Sequence, residues 1–340
     1  MTLRVGMIGT GLAARSHALD IITDAEMVLA GVTARRYESA AAFSDMFGGT
    51  VYRSADDLVT DPSIDAVVVV VPPNIVLDIA GRVPSSMPCL IEKPVATTQA
   101  DLHRITRLAG THPLMVAPFN RRYQPHVRRV ADVIAQGELG EVMRVEACWS
   151  GPYAARYSAS ASTFRSYAGP RQGVVVDNGS HALDLIESAL PAWPTPEVAD
   201  AAVWSSLLQN ERGAEIQAHL RFRIRSVDIE VSLDDRPDHP DCGDWQVIFE
   251  TRQGRATVDE FRSVLIDSKS GTITVPAEEM IRPTTDLVRL AHRQAPMGAA
   301  LSTAASISTV LIAAYNRTDS SSRHWCRPRA KALGRLNGSC

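Results

Sequence analysis

Asp177, His181 and Asp184 stand at i, i+4 and i+7 in the stretch DNGSHALD. Helical spacing puts all three on one face, where Asp177 could orient His181 or tune its charge. An imidazole titrates near neutrality, which suits reversible proton transfer. Taken singly, a histidine in such a pattern is more often structural than catalytic. Asp177 and His181 have no third ligand in view, and zinc-ligand spacing is missing from the sequence, so no metal is expected.

A second candidate lies near the start. Gly9, Thr10, Gly11, Leu12, Ala13 and Ala14 form G-x-G-x-x-A between an apolar run and a helical pattern. In a nucleotide-binding fold the first glycine permits the tight turn and the second lets the backbone approach a pyrophosphate. The small third residue packs helix on strand, and the helix N-terminus faces the phosphate charge. A purely structural glycine turn is the competing reading. An acid for the ribose hydroxyls is expected about 20 residues on. Here the strand end reads GVTARRYE, with Ala34 and then Arg35 and Arg36. A small residue followed by guanidinium groups suits a 2′-phosphate. NADP(H) is therefore preferred, with NAD(H) as the alternative.

These residues need elements to hold them. Over the first ~120 residues short apolar runs alternate with helical patterns, which implies parallel strands with right-handed crossovers. DAVVVVVPP is uniformly apolar, as a strand covered on both faces should be. The rhythm then changes. EVMRVEACWSG alternates, VVVDNGSHALDLIESAL reads as a helix with its entry loop, and several antiparallel strands follow between about 198 and 275. ALSTAASISTVLIAAYNRT is a last helix. The expected architecture is an α/β Rossmann domain with a doubly wound parallel sheet. An α+β C-terminal domain with a large open, mainly antiparallel sheet follows it. The boundaries are read as 1–122 and 123–318, with a basic tail over 319–340 expected to lack fixed structure.

Bulk properties narrow the partners. The chain has 340 residues, 45% hydrophobic and 21% charged, with a formal net charge of −3. That argues against a nucleic-acid binder. No apolar run reaches the ~18 residues of a membrane helix. The five cysteines are scattered without a CxxC pair, and no secretion signal is read, so a cytoplasmic protein with free thiols is expected.

GTGLAARSH, IEKPVA at the end of the strand MPCLI, PFNRRYQP and FRSYAGPRQGVVVDNGSHALD occur in that order. Together they resemble the glucose–fructose oxidoreductase / inositol dehydrogenase / rhizopine catabolism (Gfo/Idh/MocA) family. The resemblance runs in register over about residues 3–190 and is looser to about Arg317. It implies a cofactor across the strand ends and a substrate between two domains. It also implies that Lys93, His181 and Asp177 move the proton that accompanies hydride transfer. A lysine desolvated beside a nicotinamide could hold or donate that proton. By the same matching Pro72, Asn74, Glu92, Phe164 and Arg165 contact or adjoin the cofactor, and Asn120 and Arg122 line the substrate cleft with Lys93, Asp177 and His181. His17 and Asp184 are read as supports. Leu77, Pro118 and the single Gly173 depart from the family pattern and leave the substrate open.

The resulting expectation is an NADP(H)-dependent oxidoreductase acting on a sugar, nucleotide-linked sugar or cyclitol, inclined towards ketone reduction. The alternatives are a glycoside hydrolase with retained NAD and a non-catalytic dinucleotide-binding regulator. A homodimer or homotetramer through the C-terminal sheet is implied by the resemblance.

Overall fold

The computed structural model describes residues 2–151, 171–190, 193, 203–236, 244–259, 264–268 and 271–316. Phe164, Arg165 and the basic tail lie outside the described residues.

The first unit runs β1 (Leu3–Ile8), α1 (Leu12–Ile22), β2 (Met27–Thr33), α2 (Tyr37–Phe47) and β3 (Thr50–Val51). It continues through α3 (Ala55–Thr60), β4 (Ala66–Val69), α4 (Pro73–Ala80), β5 (Cys89–Ile91), α5 (Gln99–Thr111) and β6 (Met115–Ala117). All four residues of β4 are wholly inaccessible. That follows from helices covering both faces of a parallel sheet.

A 3-10 turn (Asn120–Tyr123) leads into α6 (Pro125–Ala135), β7 (Val142–Ser150) and α7 (Val174–Ala189). The strands β8 (Trp204–Gln209), β9 (Glu215–Ile224), β10 (Val227–Asp234) and β11 (Asp244–Thr251) come next, then β12 (Gly254–Asp259), β13 (Val264–Ser268) and β14 (Gly271–Val275). The chain ends its described part with α8 (Thr285–Ala291), β15 (Ala299–Ala300) and α9 (Leu301–Asn316).

Two sheets result. The first has the order β15-β6-β5-β4-β1-β2-β3, and the second β14-β13-β12-β11-β7-β10-β9-β8. The second sheet is antiparallel except where β10 runs parallel to β7. The two units are not strung end to end. β15 returns to pair antiparallel with β6, Ala299 facing Ala117, and Leu287 of α8 joins the core beneath the first sheet. This return is silent in the sequence because a two-residue strand and a seven-residue helix carry almost no periodic signal. α7 packs against β7, β9 and β10, and touches α9. It therefore covers one face of the second sheet.

Candidate active site

The glycine turn after β1 has the geometry that a nucleotide needs. Gly9 has φ +108°, and a β-carbon there would sit 2.0 Å from the Val70 carbonyl oxygen. Only glycine fits this crossing of the β1 and β4 exits. Gly11 is different: a β-carbon there meets nothing within 4 Å. It faces open space at the start of α1, which has no side-chain cap and no acid in its first turn. By contrast α5 closes its own N-terminus with a Thr98/Asp101 capping box. The amides of α1 are left for an anion from outside, so these residues fit a dinucleotide pyrophosphate.

The other expected cofactor positions rim the same edge. Pro72, in the turn after β4, and Asn74, in the first turn of α4, are exposed, and Ala34, Arg35 and Arg36 follow β2. Both arginines are exposed at the entry to α2, with Arg36 Nε donating to Ser39 Oγ at 3.2 Å. Glu92 and Lys93 leave β5 at the next strand end.

Lys93 is where the two units meet chemically. Its Nζ lies 2.8 Å from Asp177 Oδ1, and the side chains are only 4% and 7% exposed. Nζ also approaches the Asp177 carbonyl oxygen at 3.5 Å. The pair is thus a desolvated ion pair with a charge-assisted hydrogen bond. His181 lies one turn further along α7, partly exposed, with its ring edge-on to Phe119 at 6.2 Å between centroids. Asp177, which holds Lys93, and His181 thus lie one turn apart on α7, as their i, i+4 spacing implied.

Asp184 completes the row but serves differently. It is fully buried and accepts from Arg122 Nε at 2.7 Å, while Arg122 Nη2 donates to Glu187 at 2.5 Å. Burial pushes the Asp184 carboxyl up to about 7, against the opposing pull of Arg122. Arg122 was expected to contact substrate; instead its guanidinium is committed to these two carboxylates. Asn120, two residues earlier, is exposed. No cluster of metal ligands occurs among the described residues, and no helix among them is long and apolar enough to cross a membrane.

The sequence reading passed over a second set of supports. Glu215 is wholly buried at the start of β9. Its carboxylate accepts from the backbone N–H groups of Gly173 (3.1 Å) and Arg171 (3.2 Å) and from the Tyr315 hydroxyl (3.0 Å). It caps the entry to α7 from a neighbouring strand. A β-carbon on Gly173 would lie 2.2 Å from the Glu215 carbonyl oxygen, which explains the glycine. Arg171, at φ +57°, donates to the Thr97 carbonyl at 3.2 Å and lies over the Tyr315 ring at 5.1 Å. It ties the loop that follows Lys93 to the helix that carries Asp177.

Comparison with known proteins agrees with the fold. Residues 3–119 match the family model described as an oxidoreductase family with an NAD-binding Rossmann fold. Residues 127–252 match the one described as the GFO/IDH/MocA C-terminal domain. The chain is 24% identical over 318 residues to inositol 2-dehydrogenase of Rhizobium meliloti (strain 1021), covering 82% of this chain and 92% of that protein. Other curated relatives align over about half of their own length. Among solved structures, GenD2 from gentamicin A biosynthesis in complex with NAD superposes with a TM-score of 0.72 at 20% identity, covering 93% and 94% of the two chains. KijD10, a 3-ketoreductase from Actinomadura kijaniata in complex with NADP, gives 0.68 at 16% identity, covering 94% and 98%. At these identities the structures speak for the fold alone.

Proposed function

The chain belongs to the Gfo/Idh/MocA oxidoreductase family, and from that premise we propose an NADP(H)-dependent enzyme that passes hydride between nicotinamide and a hydroxyl or keto carbon. Its substrate class is a sugar, a nucleotide-linked sugar or a cyclitol, and its working direction is ketone reduction. The observation that carries this reading is the buried Lys93–Asp177 pair at the strand ends, on the same edge as the open cradle above Gly11.

When bound, the nucleotide supplies the hydride. The residues of this chain handle everything else. The backbone of Thr10 to Ala13 and the start of α1 hold the pyrophosphate, with Pro72, Asn74, Glu92 and Arg165 at the remaining cofactor contacts. Arg35 and Arg36 pair with the 2′-phosphate. Lys93 donates a hydrogen bond to the substrate oxygen and gives it a proton as charge develops there. Asp177 holds the ammonium in place. His181, one turn on, contacts the neighbouring hydroxyl and passes a proton taken from solvent back to Lys93. Asn120 helps seat the polyol. The likeness to inositol 2-dehydrogenase over most of both chains supports this substrate class.

The test is a fluorescence titration with NADPH and, separately, NADH, followed by a screen of keto-sugars and cyclitols for NADPH oxidation. Tighter NADPH binding and turnover of a keto-sugar are expected. Tighter NADH binding overturns the assignment of Arg35 and Arg36, and failure to bind either nucleotide, with none already retained, overturns the enzyme reading. The outer face of the second sheet, bearing Arg144, Glu146, Arg221 and Glu230 in a charged network, is read as the surface of self-association. A monomer in sedimentation analysis defeats that part.

A further inference from the structure

His17 sits on α1, the helix whose N-terminus faces the open cradle. It is 6% exposed and lies on the buried face with Ala14, Ala18 and Ile21. An apolar side chain would fill that face at no electrostatic cost. A buried imidazole carries a desolvation penalty unless it is paired. Among the described residues the ring has one hydrogen-bond partner: Nε2 stands 3.1 Å from Glu92 Oε2. Nδ1 is buried and has none among them.

The partner is notable for its address. Glu92 immediately precedes Lys93, and its carboxylate is only 19% exposed. β5, which delivers both residues, is not next to β1 in the sheet, since β4 lies between them. The contact therefore reaches over a strand end to tie α1 to the turn that carries the site lysine. His17 follows Gly11 by six residues, about 9 Å along the helix axis. A short rigid lever thus joins the phosphate cradle to Glu92.

We propose that His17 is a positioning residue that, through Glu92, sets the stance of Lys93 and so passes the seating of a nucleotide on α1 to the proton-handling amine. This rests on the oxidoreductase reading above, but it has a readout that needs neither substrate nor turnover. The chain contains only three lysines, Lys93, Lys269 and Lys331, among 35 cationic side chains. Protein labelled with carbon-13 in lysine therefore gives three εCH₂ signals, and Lys93→Arg identifies the one from the site.

In the free protein, His17→Ala is expected to displace the Lys93 signal. Glu92→Ala should displace it equally, and the double variant no further, because one contact is lost in all three. His17→Gln, whose amide can donate to Glu92, should restore it. NADPH is expected to move the Lys93 signal in the wild type and in His17→Gln, but much less in His17→Ala, with NADPH affinity weakened less than about threefold. A Lys93 signal that stays in place in the folded His17→Ala or Glu92→Ala protein overturns the proposal, as do additive displacements in the double variant. If His17→Ala does not fold, Glu92→Ala and His17→Gln decide alone. A wild-type signal that ignores both NADPH and NADH would defeat the cofactor reading; the displacements in the free protein would still decide whether the contact positions Lys93.

Discussion

Two buried aspartates lie on one face of α7, two turns apart, and each meets a cation from the amino-terminal part of the chain. Asp177 takes Lys93 at 2.8 Å, and Asp184 takes Arg122 at 2.7 Å. The cations make the difference. Lysine is a compact charge with protons that can leave; arginine is a rigid fork that stays charged in proteins. Arg122 spends its fork on Asp184 and Glu187 together, which suits a strut between the 3-10 turn and α7. Lys93 makes one strong side-chain contact and stands at the strand ends. Of the chain's 35 cationic side chains, 32 are arginine, so charge alone would have been met by another arginine. On the proposed reading, one helix thus carries a proton-handling pair near its entry and a structural pair two turns later.

The largest test of this contrast exchanges the cations. Lys93→Arg keeps the charge beside Asp177 but has no proton to give near neutral pH, so turnover should fall about 10²- to 10⁴-fold, as in Lys93→Met. Steady-state NADPH oxidation with the best ketone found in the screen measures it. Retention of activity in Lys93→Arg would reduce the lysine to a strut.

Next in size, Arg122→Met should destabilise the fold by about 3–5 kcal/mol, because it leaves Asp184 buried without its cation. Urea unfolding measures this. Adding Asp184→Leu should recover part of the loss, and turnover per folded molecule should change far less than in the lysine variants. A severe turnover loss in a stably folded Arg122→Met protein would merge the two pairs into one function.

A smaller effect appears with pH. Burial raises Asp184 from 3.8 to about 7 in the folded chain. Between those values the folded state holds a proton that the unfolded state has lost, so this residue's contribution falls as pH rises. It is fully present below the lower value and gone above the upper one. Asp184→Asn cannot ionise, so its stability relative to wild type should improve as pH rises through that window. Urea midpoints for both proteins across the window check the sign; a constant difference refutes it.

The smallest effect concerns exposed cations. Arg35→Ala should weaken NADPH about tenfold, some 1.4 kcal/mol, and leave NADH nearly unchanged. Equal losses for the two nucleotides would remove the 2′-phosphate from this reading and leave Arg35 as a solvated helix-entry residue.

How far the site could be read in advance varied by residue. Gly9 and Gly11 were legible because a tight strand-to-helix turn is a local event with local residue demands. The i, i+4, i+7 row on α7 was legible for the same reason. Lys93 and Asp177 are 84 residues apart, and no local pattern says that they touch. Arg121 and Arg122 are adjacent and look alike on paper; the 3-10 turn sends Arg121 over the Trp245 ring and Arg122 to Asp184. Glu215 gave a faint signal at most, an acid at the start of an alternating strand. Its value comes from three donors supplied by α9 and the entry to α7.

Local chemistry and periodicity by themselves determined the alternating first unit, the glycine cradle, the helical row and the residue types able to move a proton. Those depend on backbone geometry over a few residues, which side chains dictate directly. Only the tertiary structure decided which cation meets which carboxylate, that β15 closes the first sheet from the far end of the chain, and that Glu215 caps α7. Such pairings are made by burial. Water is removed only when distant segments pack, and a buried charge then takes whichever partner the packing brings within reach.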